Sequence, residues 1–374
     1  MPLVEEVRRP RLTTSSVLEF DDHEFDSSLP EDRHRLTKAV AAFRAGRADE
    51  VLDDLVGATV TDPNVNYMRA VGLVLEPNSD RFRLAEDLLR NAASAGHRRA
   101  ATLLGIGLVE GLSGTKDVEE GRKLIASAAA QGDRLAQRIA GLGYLNGQFV
   151  TIDGAKGAAF LKQAAEAGDT SAMLHYAYLL STGTGVEKNE NLAEKYVRDA
   201  AKAGLTAAQE TLGQWIIERY KVALISDPSE GVRWLETAYQ SGYSISALWR
   251  LSLFYLEVGR GPWKSLAKAV SLLNTCLPFA FSNCQYTYAY CLRDGLGYQR
   301  DIAKAYARYE VARLLGAVGA PKQIENMQRM LTSDEKAAAL ELAKSIRDKL
   351  RPIPRKLMLQ VSNTPRPPSP WQTL

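Results

Sequence analysis

Small and apolar residues along this chain fall into helical stripes that come in pairs. Between Gly168 and Gly204, GDTSAMLHYAYLLSTGTGVEKNENLAEKYVRDAAKAG, a first stripe carries Ala172 and Ala177. A glycine-rich turn follows at Gly183 and Gly185, and a second stripe carries Ala193, Tyr196, Ala200 and Ala201. Neither helix can bury its stripe alone, so the pair requires a neighbour of the same kind on each side. Those neighbours are present. The glycine closing each second helix recurs at Gly96, Gly132, Gly168 and Gly204, in steps of 36 residues. Gly242 and Ala280 follow at steps of 38 and Gly316 at 36, so two units hold extra residues, which are expected in loops. A fixed period of this length signals a stack of helix pairs in which each pair touches its neighbours.

The pattern changes at both ends. Residues 1–28 mix Pro, Ser and Thr with SVLEFDDHEFDSS and have no helical period, which reads as a disordered leader. A sharper alternative is a docking segment presenting Leu18, Phe20 and Phe25. Residues 29–60 carry a short helix pair, with Leu36, Val40 and Phe43 before Gly46 and Val51, Leu52 and Leu55 after it, expected to cap the stack. The repeats occupy 61–318. Residues 319–350 carry the other capping helices, the last started by Thr332 or Ser333 with Glu335 reaching back, and with Ala337, Leu340, Ala343 and Ile346 as its buried stripe. Residues 351–374 form a proline-rich tail in which Pro365 and Pro368 make a PxxP pair beside Arg366 and Trp371, expected to pack into no core.

At the level of letters the unit resembles the Sel1-like repeat, a relative of the tetratricopeptide repeat. That family's first helix reads A-x-x-x-L-G-x-x-Y-x-x-G, its turn ends near Asp, and its second helix closes on K-A-A-x-x-G. Here the pattern appears as Ala136, Gly141, Tyr144, Gly147 and Asp153 through Ala164 and Ala165 to Gly168, and again at Ala208, Leu212 and Gly213. It covers roughly residues 62–318, in about seven copies. The resemblance implies an all-α, right-handed solenoid, a superhelix of helix-turn-helix repeats, that binds other proteins.

Composition adds bounds rather than a function. Hydrophobic residues make up 45% and charged residues 24% of 374, ordinary for a folded soluble chain. A net charge of +3, with signs alternating, does not suggest a nucleic-acid surface. The first residues lack a secretory apolar run and no stretch is long enough to span a bilayer, so a cytoplasmic protein without membrane insertion is expected. The resemblance allows secreted members with paired cysteines, but Cys276, Cys284 and Cys291 are odd in number and lie in one region, unlike a disulfide ladder. Cys284 and Cys291 take the repeat positions of Ala172 and Leu179, which face the core, so they are read as small packing residues.

Chemistry is sparse. Gly105/Gly107 and Gly141/Gly143 contain G-x-G, but each falls inside a first helix rather than between a strand and a helix, and there is no GxxxxGK[ST]. Small residues there are expected to let helices approach closely. His23, His34, His97 and His175 are dispersed, no catalytic set is suggested by spacing, and neither a metal nor a cofactor is expected. What remains is a surface. If first helices line the concave side, the residue two before the Leu-type position, the one after the Gly-type position and the helix ends point into it: Arg138, Leu174, Tyr178, Glu210, Gln214, Glu218, Trp249, Glu257, Tyr286, Tyr290, Arg293 and Asp294. Aromatic and Arg residues carry much of the energy at interfaces, so this groove suits a peptide with apolar anchors and basic flanks. A non-catalytic scaffold or adaptor is therefore the expected function. The alternatives are an enzyme or small-molecule binder of the β-lactam-recognition type on the same repeats, and a regulator acting through its basic, proline-rich tail.

Overall fold

Helices, most of them packed in pairs, make up the computed structural model, which describes residues 30–44, 47–75, 79–114, 116–147, 152–242, 244–258 and 261–353. The leader and the PxxP segment of the tail lie outside the described residues. Among those residues there are 18 α-helices and no strand, apart from one isolated bridge between Phe279 and Arg351. Contacts divide the chain into two compact units, Met1–Tyr196 and Val197–Leu374.

In the first unit the pairs are Pro30–Arg44 with Ala48–Asp54, Pro63–Leu75 with Ser79–Ser94, Arg98–Glu110 with Val118–Ala130, and Arg134–Asn146 with Gly154–Glu166. Thr170–Thr182 packs on the last of these. Most of the matched helices in the repeats have 13 residues, and local chemistry sets their length. Asp133 and Asp169 cap first helices by accepting from Ala136 N and Ala172 N at 2.7 Å, while Asp117 and Asp153 cap second helices. The period markers Gly96, Gly132 and Gly168 take φ of 87°, 85° and 90°, which an L side chain resists, and this is why the marker is glycine.

The close approach expected from small residues is real where the two helices of a pair cross. A Cβ on Gly121 would lie 2.5 Å from the Gly105 carbonyl oxygen, and one on Gly141 would lie 3.0 Å from that of Gly157. Gly107 differs, since nothing lies within 4 Å of its added Cβ. The glycine of the pair that touches the partner helix is therefore the one the packing requires.

In the second unit Thr206–Lys221 pairs with Ser229–Gly242, Ile245–Leu253 with Leu266–Cys276, and Ser282–Asp294 with Ile302–Leu314. Ala320–Gln328 and Ser333–Lys349 pack on Ile302–Leu314. The extra residues of the two longer repeats are not confined to loops. Thr206–Lys221 is lengthened to 16 residues, and Ile245–Leu253 runs on into a π-helical turn at Phe254–Val258, where one inserted residue widens the helix.

The last helix begins as expected, on a reciprocal capping box between Thr332 and Glu335. Its buried stripe is displaced from the expected one: Ala339 and Ala343 are buried, with Ile346 packed beside them, while Ala337 and Leu340 are exposed. Two apolar faces compete on this helix. The narrower one, built on alanine, allows the close contact with Ile302–Leu314.

Candidate functional site

One position of the repeat, where it carries Thr102, Arg138 or Glu210, ties a first helix to the start of the next, while Leu174 at the same position is apolar and buried. In the first unit Asp133, besides capping its own helix, accepts Arg99 Nε at 2.6 Å and Thr102 Oγ1 at 2.9 Å. One repeat later Asp169 accepts Arg138 Nε at 2.8 Å. In the second unit the cap is Ser244, which donates to Glu210, and beyond it Trp249 Nε1 donates to Thr287 Oγ1 at 2.9 Å. Arg138, Leu174 and Glu210, expected to point into a groove, are buried, and Glu210 is 0% exposed. Trp249 is half-buried, with its ring edge-on to Phe281. The side chains at this position are spent on stitching repeats together: a buried charge needs a partner, and the next repeat's cap supplies one.

Two histidines lie beside this layer in the first unit, His175 buried and His97 half-buried. His175 donates from Nδ1 to the Ser171 carbonyl at 2.7 Å, and His97 caps its helix by accepting from Ala100 N at 3.0 Å while stacking on Tyr67. Burial pushes both imidazoles down to about 4, so both are neutral in the folded chain at pH 7. In the unfolded chain each titrates near 6.5. As pH falls from 6.5 towards 4 the unfolded state therefore takes up protons that the native state refuses, and stability falls by about 1.4 kcal/mol per pH unit per histidine. Urea midpoints measured at pH 7, 6 and 5 are expected to drop in that order, and the His175→Asn protein is expected to show a shallower drop.

The remaining predicted residues separate by place. Tyr178 is half-buried in the first unit, on the Thr170–Thr182 helix. In the second unit, first helices of consecutive repeats are neighbours. Gln214 donates to Glu218 Oε1 at 2.8 Å on Thr206–Lys221. Glu257, in the π-helical turn, and Asp294, at the end of Ser282–Asp294, are both exposed. Their charges act on Tyr290, whose phenol is pushed up first by burial and then by Glu257 and Asp294. Arg293 lies over the Tyr290 ring at 5.3 Å, forks onto Asp294 at 2.7 and 2.8 Å, and donates to Gln323 Oε1 at 2.6 Å. Asp294 is held below the usual carboxylate range, chiefly by its hydrogen bond from Arg293. Tyr286 packs edge-on to Tyr309 with centroids 5.1 Å apart, inside the unit's last apolar cluster. Gln323 was not among the expected residues, because it comes from a helix beyond the repeats and no periodic signal marks it.

The cysteines require a correction. Cys276 and Cys284 form a disulfide, S–S 2.01 Å, between the end of one second helix and the first turn of the next first helix. Repeat register correctly placed Cys284 in the core, but pairing depends on the turn between the helices, which brings the two Cα atoms within 6.2 Å. Cys291 is a buried free thiol, pushed up to about 12 by burial with Glu257 and Asp294 adding to it, so it is a poor nucleophile. Closing so short a loop is worth about 2–3 kcal/mol in the chain-entropy account. The Cys276→Ala/Cys284→Ala protein is expected to lose about that much stability in urea unfolding, more than deletion of a packed sulfur would cost.

Among the described residues no cluster of His, Cys, Asp and Glu could hold a metal ion, and no helix is long and apolar enough to cross a membrane. The Sel1 repeat model matches residues 98–133, 135–169, 170–205, 223–243 and 282–316. A Sel1 repeat protein from Oxalobacter formigenes has a similar structure, with a TM-score of 0.53 and 24% identity, over 64% of this chain and 98% of that one. A protective antigen of uropathogenic Escherichia coli, c5321, which displays an SLR fold, aligns over 93% of this chain and 94% of its own at 17% identity and a TM-score of 0.42. The immunity protein Pa5087 of Pseudomonas aeruginosa aligns over 57% and 81% at 18% identity and a TM-score of 0.37. No curated protein matches the sequence. Five segments match the repeat and the helix pairs around them follow the same plan, so the part of the chain between residues 98 and 316 carries Sel1 repeats.

Proposed function

We propose that this protein is a non-catalytic scaffold that binds a partner protein on the first-helix face of its second unit. Sel1 repeats commonly mediate protein–protein interaction. The observation that carries the reading is a half-buried Tyr290, under Arg293, whose phenol is raised by burial and by the charges of exposed Glu257 and Asp294. Arg293 already neutralises Asp294, which leaves the exposed Glu257 as the carboxylate that an incoming cation meets. A segment with an apolar anchor for Tyr290 and a flanking Lys or Arg fits this face, since an aromatic ring buries area at low entropic cost and complementary charge sets register.

The test is co-purification from the native source with intact protein and with Glu257→Lys/Tyr290→Ala protein as baits. A partner retained by the intact protein and lost from the variant supports the reading. Identical partner sets overturn it. Thermal unfolding of the two baits separates lost binding from lost folding.

A further inference from the structure

Just past its last helix the chain does something the repeats do not explain. Leu350 leaves Ser333–Lys349 in an extended conformation, φ −68° and ψ 134°, and the next residue pairs with the loop held by the disulfide. Arg351 N–H donates to the Pro278 carbonyl at 2.8 Å, and Ala280 N–H donates to the Arg351 carbonyl at 2.9 Å. Both backbone polar groups of one residue are thus taken up by residues two apart on the other strand, which is a parallel bridge. Pro352 has no N–H to give and this register asks for none. Proline also excludes the helical region for the residue before it, so Arg351 is pre-set in the extended form it needs. Two residues after the bridged one, Ile353 packs against the same buried cluster, around Leu273, Cys276 and Cys284, that Leu277, Phe279, Phe281 and Trp249 pack against.

The receiving loop is unusually well defined for five residues between helices. Cys276 and Cys284 clamp its two ends, Phe279 N–H bonds back to the Cys276 carbonyl at 3.2 Å, and Phe281 N–H to the Phe279 carbonyl at 2.8 Å. It offers one acceptor, one donor and an apolar wall in fixed register. These are the parts with which a sheet edge takes up an extended peptide.

We propose that the Pro278–Phe281 loop is a docking slot for an extended, parallel-running peptide of pattern x-Pro-aliphatic, occupied in this structure by the chain's own Arg351–Ile353. The tether gives the resident segment a high effective concentration, so a partner segment of the same pattern competes with it rather than entering an open site. This slot is separate from the Tyr290 face and does not depend on it.

The test uses the full-length protein and a fluorescently labelled peptide KLRPIPRK, the sequence of residues 349–356. Ile353→Asp removes the resident's apolar anchor, and Arg351→Pro removes its N–H donor by a different route. Fluorescence anisotropy is expected to show both variants binding the peptide about tenfold or more tightly than the wild type, because displacing the resident raises the binding-competent fraction. The same peptide with its isoleucine replaced by aspartate is expected not to bind. Equal affinity for wild type and both variants, no measurable binding to any of the three, or equal binding of the aspartate peptide overturns the proposal. A far-UV spectrum matching the wild type confirms that each variant is folded, and either variant alone is sufficient for the comparison.

Discussion

Replacing Asp133 by alanine is expected to destabilise the protein by about 3–5 kcal/mol, because the substitution takes the charge partner from a buried cation. The carboxylate serves two repeats at once. It accepts from Ala136 N at 2.7 Å as the cap of its own helix, and from Arg99 Nε and Thr102 Oγ1 of the preceding first helix. The Arg99 and Asp133 side chains are each 1% exposed, so solvent cannot replace what is lost. A cap alone is worth about 1 kcal/mol. The control is Asp301→Ala, which removes an Asp cap that accepts from Lys304 N and for which no buried cation is the partner in this contact. Urea unfolding should separate the two by a few kcal/mol. Equal small losses would mean that the Arg99 contact adds nothing beyond the cap.

Gly185→Ala is the second substitution with a large expected effect, about 2–5 kcal/mol, and it acts where one repeat's turn touches the repeat before it. Gly185 has φ of 69°, which costs an L residue about 1–2 kcal/mol. Its added Cβ would also lie 2.0 Å from the Gly154 carbonyl oxygen and 2.9 Å from Ala155 N. Backbone cannot rotate out of the way as a side chain can, so the turn or the Gly154–Glu166 helix must shift, at about 1–3 kcal/mol more. The neighbouring Gly183, with φ of 76° but no contact closer than 3.6 Å, is the comparison: alanine there should incur the conformational cost alone. Thermal unfolding of the two variants distinguishes strain from collision.

The 36-residue recurrence of Gly132 and Gly168, the alanine stripes and the Asp caps are local signals, and they determined the helix pairs and the repeat family without reference to anything distant. A helix boundary needs a capping side chain or a positive φ a few residues away, and such needs are written in adjacent letters. What the helices do with one another was decided only by the tertiary structure. Arg138 and Glu210 carry charge, which in a sequence reads as surface. The next repeat's cap draws them inward, because a carboxylate 31 residues after Arg138 and a hydroxyl 34 residues after Glu210 arrive at bonding distance. Leu340 carries an apolar side chain and is nonetheless exposed, since the alanine face of its helix packs more closely. Cys276 and Cys284 pair, and Arg351 bridges to Pro278, through a turn geometry that no periodicity encodes. Spacing in a sequence records which residues share a helix face. Which face is covered, and by what, is settled by the competition among neighbours for that space.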